Sequence, residues 1–411
     1  MTGPSTSSMR PIRETIPLED ALAAILEAAA PIERTERAAL GSADGRVLAA
    51  APDATMDVPP FDRAAMDGYA VRAEDTFGAG RYDPKVLRVV EKVYTGQLPS
   101  KTLSAGECIE IATGAPMPQG ADAVVMVEET ERVAGSPDVR VFTPVYPRQH
   151  VGRRGADITA GQAVLRPGDV LNPSRIGALA AVGVLEVEVY ARPRIAILST
   201  GNEIVEPGRP LGPGQIYDIN RFTLSAIIES HGGTAVALPT AADTVEALSA
   251  AIDAALQEDV LVFSGGSSVG ERDLILDVLL QRGDVLFHGV AVKPGKPTVF
   301  GKVAGKPVLG MPGYPTSCLS NGYMLLLPML RQMARLPPHR AHTTRVPLAR
   351  RIVSTTGRHQ FYTVRIADGT ALPAFKASGD ITSMAHADGY IEIPAHVDIV
   401  EAGEIVDVKL F

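Results

Sequence analysis

VLVFSGGSSVGERD, residues 260–273, is the stretch whose reading decides the fold. Its first four residues, Val260 to Phe263, are apolar without alternation, as a strand buried on both faces requires. Ser264-Gly265-Gly266-Ser267-Ser268-Val269-Gly270 breaks the run, and the charged step Glu271-Arg272-Asp273 opens an amphipathic segment from Leu274 to Leu280. The pattern predicts a strand, a small-residue loop and a helix. Such a loop can bring backbone N–H groups close to an anionic oxygen, because glycine permits close approach and a helix N-terminus is electropositive. An ordinary strand-to-helix turn has the same composition, so the flanking sequence must decide between the two.

Working outward, strands and helices alternate from residue 193 onward. Residues 195–199 read as a strand ending in Thr200-Gly201-Asn202-Glu203. Asn220 is placed to cap a helix through Leu224, Ile227 and Ile228, and residues 235–238 form the next strand. Asp243 and Glu246 have the D-x-x-E spacing of a capping box ahead of Val245, Leu248, Ile252 and Leu256. Beyond the opening stretch, residues 285–292, 298–303 and 308–311 read as strands, and residues 310–317 lead into a helix reaching about Arg335. This alternation implies a mostly parallel sheet with right-handed crossovers. Ligands of such sheets bind outside the carboxyl ends of the strands. That edge would gather residues 200–203, the Gly/Ser loop and Lys293-Pro294-Gly295-Lys296-Pro297. Two lysines on a proline-stiffened turn are also common solvent-exposed surface, and their convergence with the Gly/Ser loop favours an anion site.

The flanks differ in character. Residues 17–29 form an amphipathic helix with Glu19 and Asp20 in its first turn. Residues 57–71 contain Asp57, Asp62 and Asp67, and Asp67-Gly68 is a turn signal before the strand Tyr69-Ala70-Val71. Asp67 read alone is a turn former. Residues 85–142 are rich in short β runs and enclose IATGAPMPQGAD (111–122), a proline-stiffened polar loop. Its Thr113 either donates to a ligand or caps a turn. Residues 164–171 suggest a short strand and turn, and Asn172 should cap a helix over 173–182. Residues 344–411 alternate in short runs divided by Gly and Asp turns, as a small all-β domain does.

At 411 residues the chain is long enough for several domains, and a net charge of −8 gives no overall basic field for nucleic acid. Cys108 and Cys318 are the only cysteines and belong to no CxxC or Cys/His cluster, which suits a reducing cytoplasm and argues against zinc and a disulfide framework. No signal peptide is visible, and no apolar run is long enough to span a membrane. Asp67, Glu203, Asp243 and Asp273 are candidates for acidic chemistry, and Lys293 and Lys296 for anions, with helix capping a sufficient explanation for Asp243. Carboxylates beside an anion site make electrostatic sense when a hard divalent cation bridges them. Mg²⁺ is favoured, since it takes one or two carboxylates plus substrate oxygens. The residues themselves reach a multidomain α/β protein with an anionic ligand, and no reaction.

The ordered set PPFDRAAMDGYAV (59–71), TGAPMPQGADAVV (113–125), STGNE (199–203), GQIYDINR (214–221), SGGSSVGERD (264–273), KPGKP (293–297) and GMPGYPTS (310–317) resembles the molybdopterin molybdenumtransferase family, related to the E domain of gephyrin. Each motif is weak alone, whereas their order along nearly the whole chain is specific. The resemblance implies an enzyme that inserts molybdate into adenylylated molybdopterin and releases AMP, acting as a cytoplasmic homodimer with its site in a cleft between subunits. It implies an elongated mixed domain from residues 1–60 and 149–192, an inserted β-rich domain at 61–148, an α/β molybdopterin-binding domain at 193–338 and a C-terminal β domain at 339–411. Asp67, Thr113, Glu203, Asp243 and Asp273 match polar residues in or near the family's site. Gly265, Gly266, Ser267, Ser268, Gly270, Lys293, Lys296, Pro312, Pro315 and Ser317 would contact substrate. Asp273 and Glu203 would hold Mg²⁺. A transient partner would be the molybdopterin adenylyltransferase.

The chain departs from the family pattern at Ser267, where valine is usual, at Tyr314-Pro315-Thr316, where Asn-Pro-Val is common, and at His288, where some members have lysine. The related adenylyltransferase shares the central α/β domain but is usually a single domain. A pterin-binding scaffold without activity is the third reading, weakened because no long linker or fused enzyme domain is visible.

Overall fold

A computed structural model describes residues 14–242, 244–265 and 274–411. The chain divides into two compact units, Met1–Glu36 with Tyr190–Phe411, and Arg37–Val189.

The first unit is built on a six-stranded sheet. After helix α1 (Leu18–Ala28), its elements in chain order are β1 (Arg194–Ser199), α2 (Asn220–Ser230), β2 (Thr234–Ala237), α3 (Val245–Ala255), β3 (Val260–Ser264), α4 (Leu274–Arg282), β4 (Gly283–His288), β5 (Val299–Val303) and β6 (Lys306–Met311). The spatial order is β2-β1-β3-β6-β5-β4. β2, β1, β3 and β6 are parallel neighbours, while β5 runs antiparallel to both β6 and β4. The apolar run in β3 is now explained by its two faces. Val260 and Val262 pack into a core shared with Ile25 of α1 and Leu325 and Met329 of the long helix beyond β6. Leu261 and Phe263 point the other way, into a second core with Leu248 and Ile252 of α3 and Val278 of α4. Each of these four β3 side chains is fully buried, and full burial of one such residue is worth about 1.5–3 kcal/mol.

The long helix runs from Pro315–Asn321 through a π-helical turn, Gly322–Leu326, into Leu327–Met333. Tyr323 on the π turn faces Phe361 and Tyr390, whose rings stack at 3.9 Å. Those two aromatics belong to a C-terminal sheet made of Thr343–Pro347, His359–Ala367, Thr370–Pro373, Gly389–Ile393 and Ile405–Leu410. A sixth strand, Val292–Lys293, comes from the α/β region and pairs in parallel with His359 and Gln360. This region also carries a helical turn, Thr382–Ala385, so it is β-dominated rather than all-β.

Local capping signals decide some helix starts and not others. Asn172 caps its helix, accepting from the Arg175 N–H at 2.9 Å. For α3 the cap is Thr244, whose hydroxyl accepts from the Ala247 N–H; Asp243 lies outside the described residues. Asn220 is the first residue of α2 rather than its cap. The Arg221 N–H is instead satisfied by Asp218 at 3.1 Å. Residues 164–171 form no strand, only an isolated bridge between Val170 and Val47.

The second unit contains another six-stranded sheet, ordered Ala123–Met126, Gly68–Val71, Glu107–Ile111, Lys85–Val93, Asp138–Val141, Thr130–Arg132. Lys85–Val93 and Glu107–Ile111 are its parallel pair. Gly68 sits where a Cβ would fall 1.9 Å from the Val125 carbonyl oxygen, so no other residue fits there without parting the strands. Cys108 and Cys318 are both buried and free. Burial pushes the Cys108 thiol up to about 12, which makes it a poor nucleophile. No helix among the described residues is long and apolar enough to cross a membrane.

Candidate functional site

The carboxyl ends of β1 and β3 lie side by side, with Ser199 opposite Ser264 and their hydroxyls 3.3 Å apart in the buried interior. The chain leaves β3 through Gly265 at φ +102°, where a Cβ would sit 2.6 Å from the Thr200 carbonyl oxygen. Glycine is therefore obligatory at the first step of the Gly/Ser loop. A Cβ built on Gly313, in the loop after β6, would lie 3.5 Å from the Gly265 Cα. Three strand ends thus converge, as a ligand site at the edge of a parallel sheet requires. Gly266, Ser267, Ser268, Gly270 and Asp273 lie outside the described residues.

The lysine turn is held from several sides. Lys293 belongs to the short strand paired with Gln360, and its Nζ donates to the Thr355 hydroxyl at 2.7 Å. Beneath the turn, the buried Asn321 amide donates to the Gly295 carbonyl at 2.9 Å and to the Thr298 hydroxyl at 2.6 Å. Thr298 in turn donates to the same Gly295 carbonyl at 2.8 Å. The turn is consequently fixed by a closed polar network before any ligand arrives.

These elements line a cleft of about 1320 Å³. Glu203, Gly265, Lys293, Lys296, Pro312, Pro315 and Ser317 all face it, so seven residues singled out from the sequence share one cavity. Ile204, Leu211, Ile216 and Tyr217 add apolar wall, and Thr355, Arg358, Ser378 and Gly379 come from the C-terminal sheet region. Arg358 and Ser378 were not identified from sequence, because they lie in a segment whose pattern announces only short strands. Asp218 and Asn220 were overlooked as well. Both line the cleft and are more than nine-tenths buried. The Asn220 amide donates to the Gly313 carbonyl at 2.9 Å, a contact spanning 93 residues. Their signal was present in GQIYDINR, where Asp218 stands two residues before Asn220.

Asp67 and Thr113 lie in the second unit and form a cluster of their own. One Asp67 carboxylate oxygen accepts both the Thr113 N–H at 2.7 Å and its hydroxyl at 2.9 Å. These hydrogen bonds, the backbone one foremost, hold the Asp67 carboxyl below the usual aspartate range. Among the described residues there is no group of three or more His, Cys, Asp or Glu side chains placed to hold a metal ion.

Comparison with known proteins agrees along the whole chain. Residues 16–183 match the MoeA N-terminal region (domain I and II), residues 196–332 a probable molybdopterin binding domain, and residues 345–411 the MoeA C-terminal region (domain IV). The chain is 38% identical over 376 residues to molybdopterin molybdenumtransferase 2 of Mycobacterium tuberculosis, covering 89% of this chain and 92% of the relative. A molybdopterin molybdenumtransferase of Haemophilus influenzae is 32% identical, with 96% and 98% covered. The crystal structure of the molybdopterin biosynthesis MoeA protein from Pyrococcus horikoshii superimposes with a TM-score of 0.82 at 41% identity, covering 97% of this chain and 99% of that one. With the motifs in order and family models and relatives matching along the chain, the chain belongs to the molybdopterin molybdenumtransferase family.

Proposed function

We propose that this chain inserts molybdate into adenylylated molybdopterin with release of AMP. The observation that carries the reading is the single cleft in which a close-approach glycine loop, two lysines on a braced turn and an apolar wall meet. Its volume exceeds the usual range of small-ligand sites, in keeping with a substrate that joins a pterin to a nucleotide. Lys293, Lys296 and Arg358 supply positive charge for the oxyanion and the phosphates, and Lys293, held by Thr355, needs little reorganisation when charge develops. Ser317 offers a hydroxyl on the same wall. The loop of Gly265, Gly266, Ser267, Ser268 and Gly270 would present backbone N–H groups to the substrate.

Mg²⁺ suits the donor chemistry. Glu203 puts a hard carboxylate on the cleft wall, and Asp273 would add a second, the number this ion takes alongside phosphate oxygens. When bound, the ion would neutralise charge on the pyrophosphate link as AMP leaves. Asp67, Thr113 and Asp243 complete the polar set expected of the site, Asp67 as a carboxylate kept ionised by Thr113. We also infer a cytoplasmic homodimer with a transient contact to the adenylyltransferase, and a four-domain chain made of residues 1–60 with 149–192, residues 61–148, residues 193–338 and residues 339–411.

The test is direct. Purified protein given adenylylated molybdopterin and molybdate should release AMP, measured chromatographically, and Lys293→Ala should lower that rate by at least tenfold. No AMP from the wild-type protein, together with product from ATP and molybdopterin, would replace this reading with the adenylyltransferase.

A further inference from the structure

Three buried oxygen atoms of the cleft residues are unsatisfied: Thr200 Oγ1, Asp218 Oδ2 and Asn220 Oδ1 have no hydrogen-bond partner among the described residues. Their residues are 2%, 5% and 7% exposed and all line the same cavity. Buried polar atoms are nearly always paired, so three orphans in one cleft call for a cause. They are also near one another through a chain of contacts. Asn220 binds the Gly313 carbonyl, Gly313 abuts Gly265, and a Cβ on Gly265 would stand 3.3 Å from Thr200 Oγ1. Asp218 precedes Asn220 by two residues.

The chemistry of the three is one-sided. Because the Asn220 amide nitrogen must donate to the Gly313 carbonyl, its orphan atom is the oxygen, an acceptor. Asp218 spends Oδ1 on the Arg221 N–H, leaving Oδ2 as a second acceptor. Thr200 adds a hydroxyl, which accepts as readily as it donates. The lysine turn offers donors; this corner offers acceptors.

We infer that Thr200, Asp218 and Asn220 recognise the aminopyrimidinone edge of the pterin, whose ring N–H and neighbouring amino group present three hydrogens side by side. The inference rests on the molybdopterin reading above and specifies which part of that substrate the corner takes. Adenine suits it poorly, since one amino group is flanked by ring nitrogens that are themselves acceptors, and acceptor facing acceptor repels. A cation is also disfavoured, because the Arg221 Nε already stands 3.9 Å from Asp218 Oδ2.

The experiment uses the full chain and three probes: 6-hydroxymethylpterin, the corresponding lumazine with oxygen in place of the amino group, and AMP. Wild-type protein should bind the pterin at least tenfold more tightly than the lumazine by fluorescence titration. Thr200→Val and Asp218→Asn should each weaken pterin binding by at least fivefold while changing AMP affinity less than twofold. Thr200→Val removes only a hydroxyl without a partner, so a melting temperature no lower than that of the wild type will show that its fold is intact. Equal binding of pterin and lumazine overturns the inference, as does loss of AMP affinity in place of pterin affinity. A Mg²⁺ affinity that falls in both variants while pterin affinity holds assigns the corner to a cation and overturns it too. The two readings separate cleanly. Pterin selectivity without AMP release from the full substrate would sink the transferase reading alone. Turnover without pterin selectivity would sink only this one.

Discussion

Asp67 and Asp218 are both aspartates beside a turn, and the two units treat them in opposite ways. Asp67 is exposed, and one of its oxygens collects two hydrogen bonds from a single residue, Thr113. Asp218 is buried on the cleft wall, one oxygen holding the first turn of α2 and the other 3.9 Å from the Arg221 Nε, with no hydrogen-bond partner among the described residues. The first arrangement secures a loop and fixes a charge. The second leaves a buried acceptor on the cleft wall without a hydrogen bond. A satisfied carboxylate stabilises its surroundings, whereas an unsatisfied buried one is tolerated at the expense of stability, as functional sites often require.

The contrast can be broken most forcefully at Gly68, the residue next to Asp67. Gly68→Ala drives a methyl against the Val125 carbonyl and should cost about 3 kcal/mol or more, seen as a lower urea midpoint. A loss below about 1 kcal/mol would mean that the sheet yields easily there and that Asp67 is held by Thr113 alone. A smaller effect, of opposite sign, is expected on the other side. Thr200→Val should raise stability by about 1 kcal/mol, because it deletes a buried hydroxyl that has no partner. Destabilisation of that size would show the hydroxyl to be satisfied after all. The smallest effect concerns pH. Asp67 has a depressed folded-state pKa, so its contribution is present above the unfolded value of about 3.9 and is lost as pH falls through the folded one. In Thr113→Val the Asp67 carboxyl should titrate closer to the ordinary value by NMR. An unshifted titration would assign the depression to the backbone N–H alone.

These predictions reach beyond what the sequence announces. β3 was legible because an unbroken apolar run has few structural solutions, and the observed split of Val260 and Val262 from Leu261 and Phe263 is the one that period-two geometry demands. The lysine turn and the STGNE strand end were legible as short polar stretches at predicted strand ends, and the cleft indeed gathers Glu203, Lys293 and Lys296. Asn220 was misread because asparagine before an apolar helical pattern is a strong capping signal. Its actual partner, the Gly313 carbonyl, is fixed by tertiary packing that no local pattern encodes. Thr355 and Arg358 were missed for a related reason: they reach the cleft only because Val292–Lys293 pairs with the strand His359–Ala367.

That pairing has a bearing on how the molecule can be taken apart. By lending two residues to the C-terminal sheet, the α/β region ties its lysine turn to a strand it does not own. A dissected α/β fragment would keep its parallel strands and the core around Leu261 and Phe263, yet the core around Val260 and Val262 would lose Ile25, Phe361 and Tyr390, and Lys293 would lose its strand neighbour Gln360 and its hydroxyl partner Thr355 together. Swapping modules among relatives faces the same constraint. A graft cut near residue 339 divides a single electrostatic apparatus, so the recipient must supply a matching strand edge as well as a matching fold.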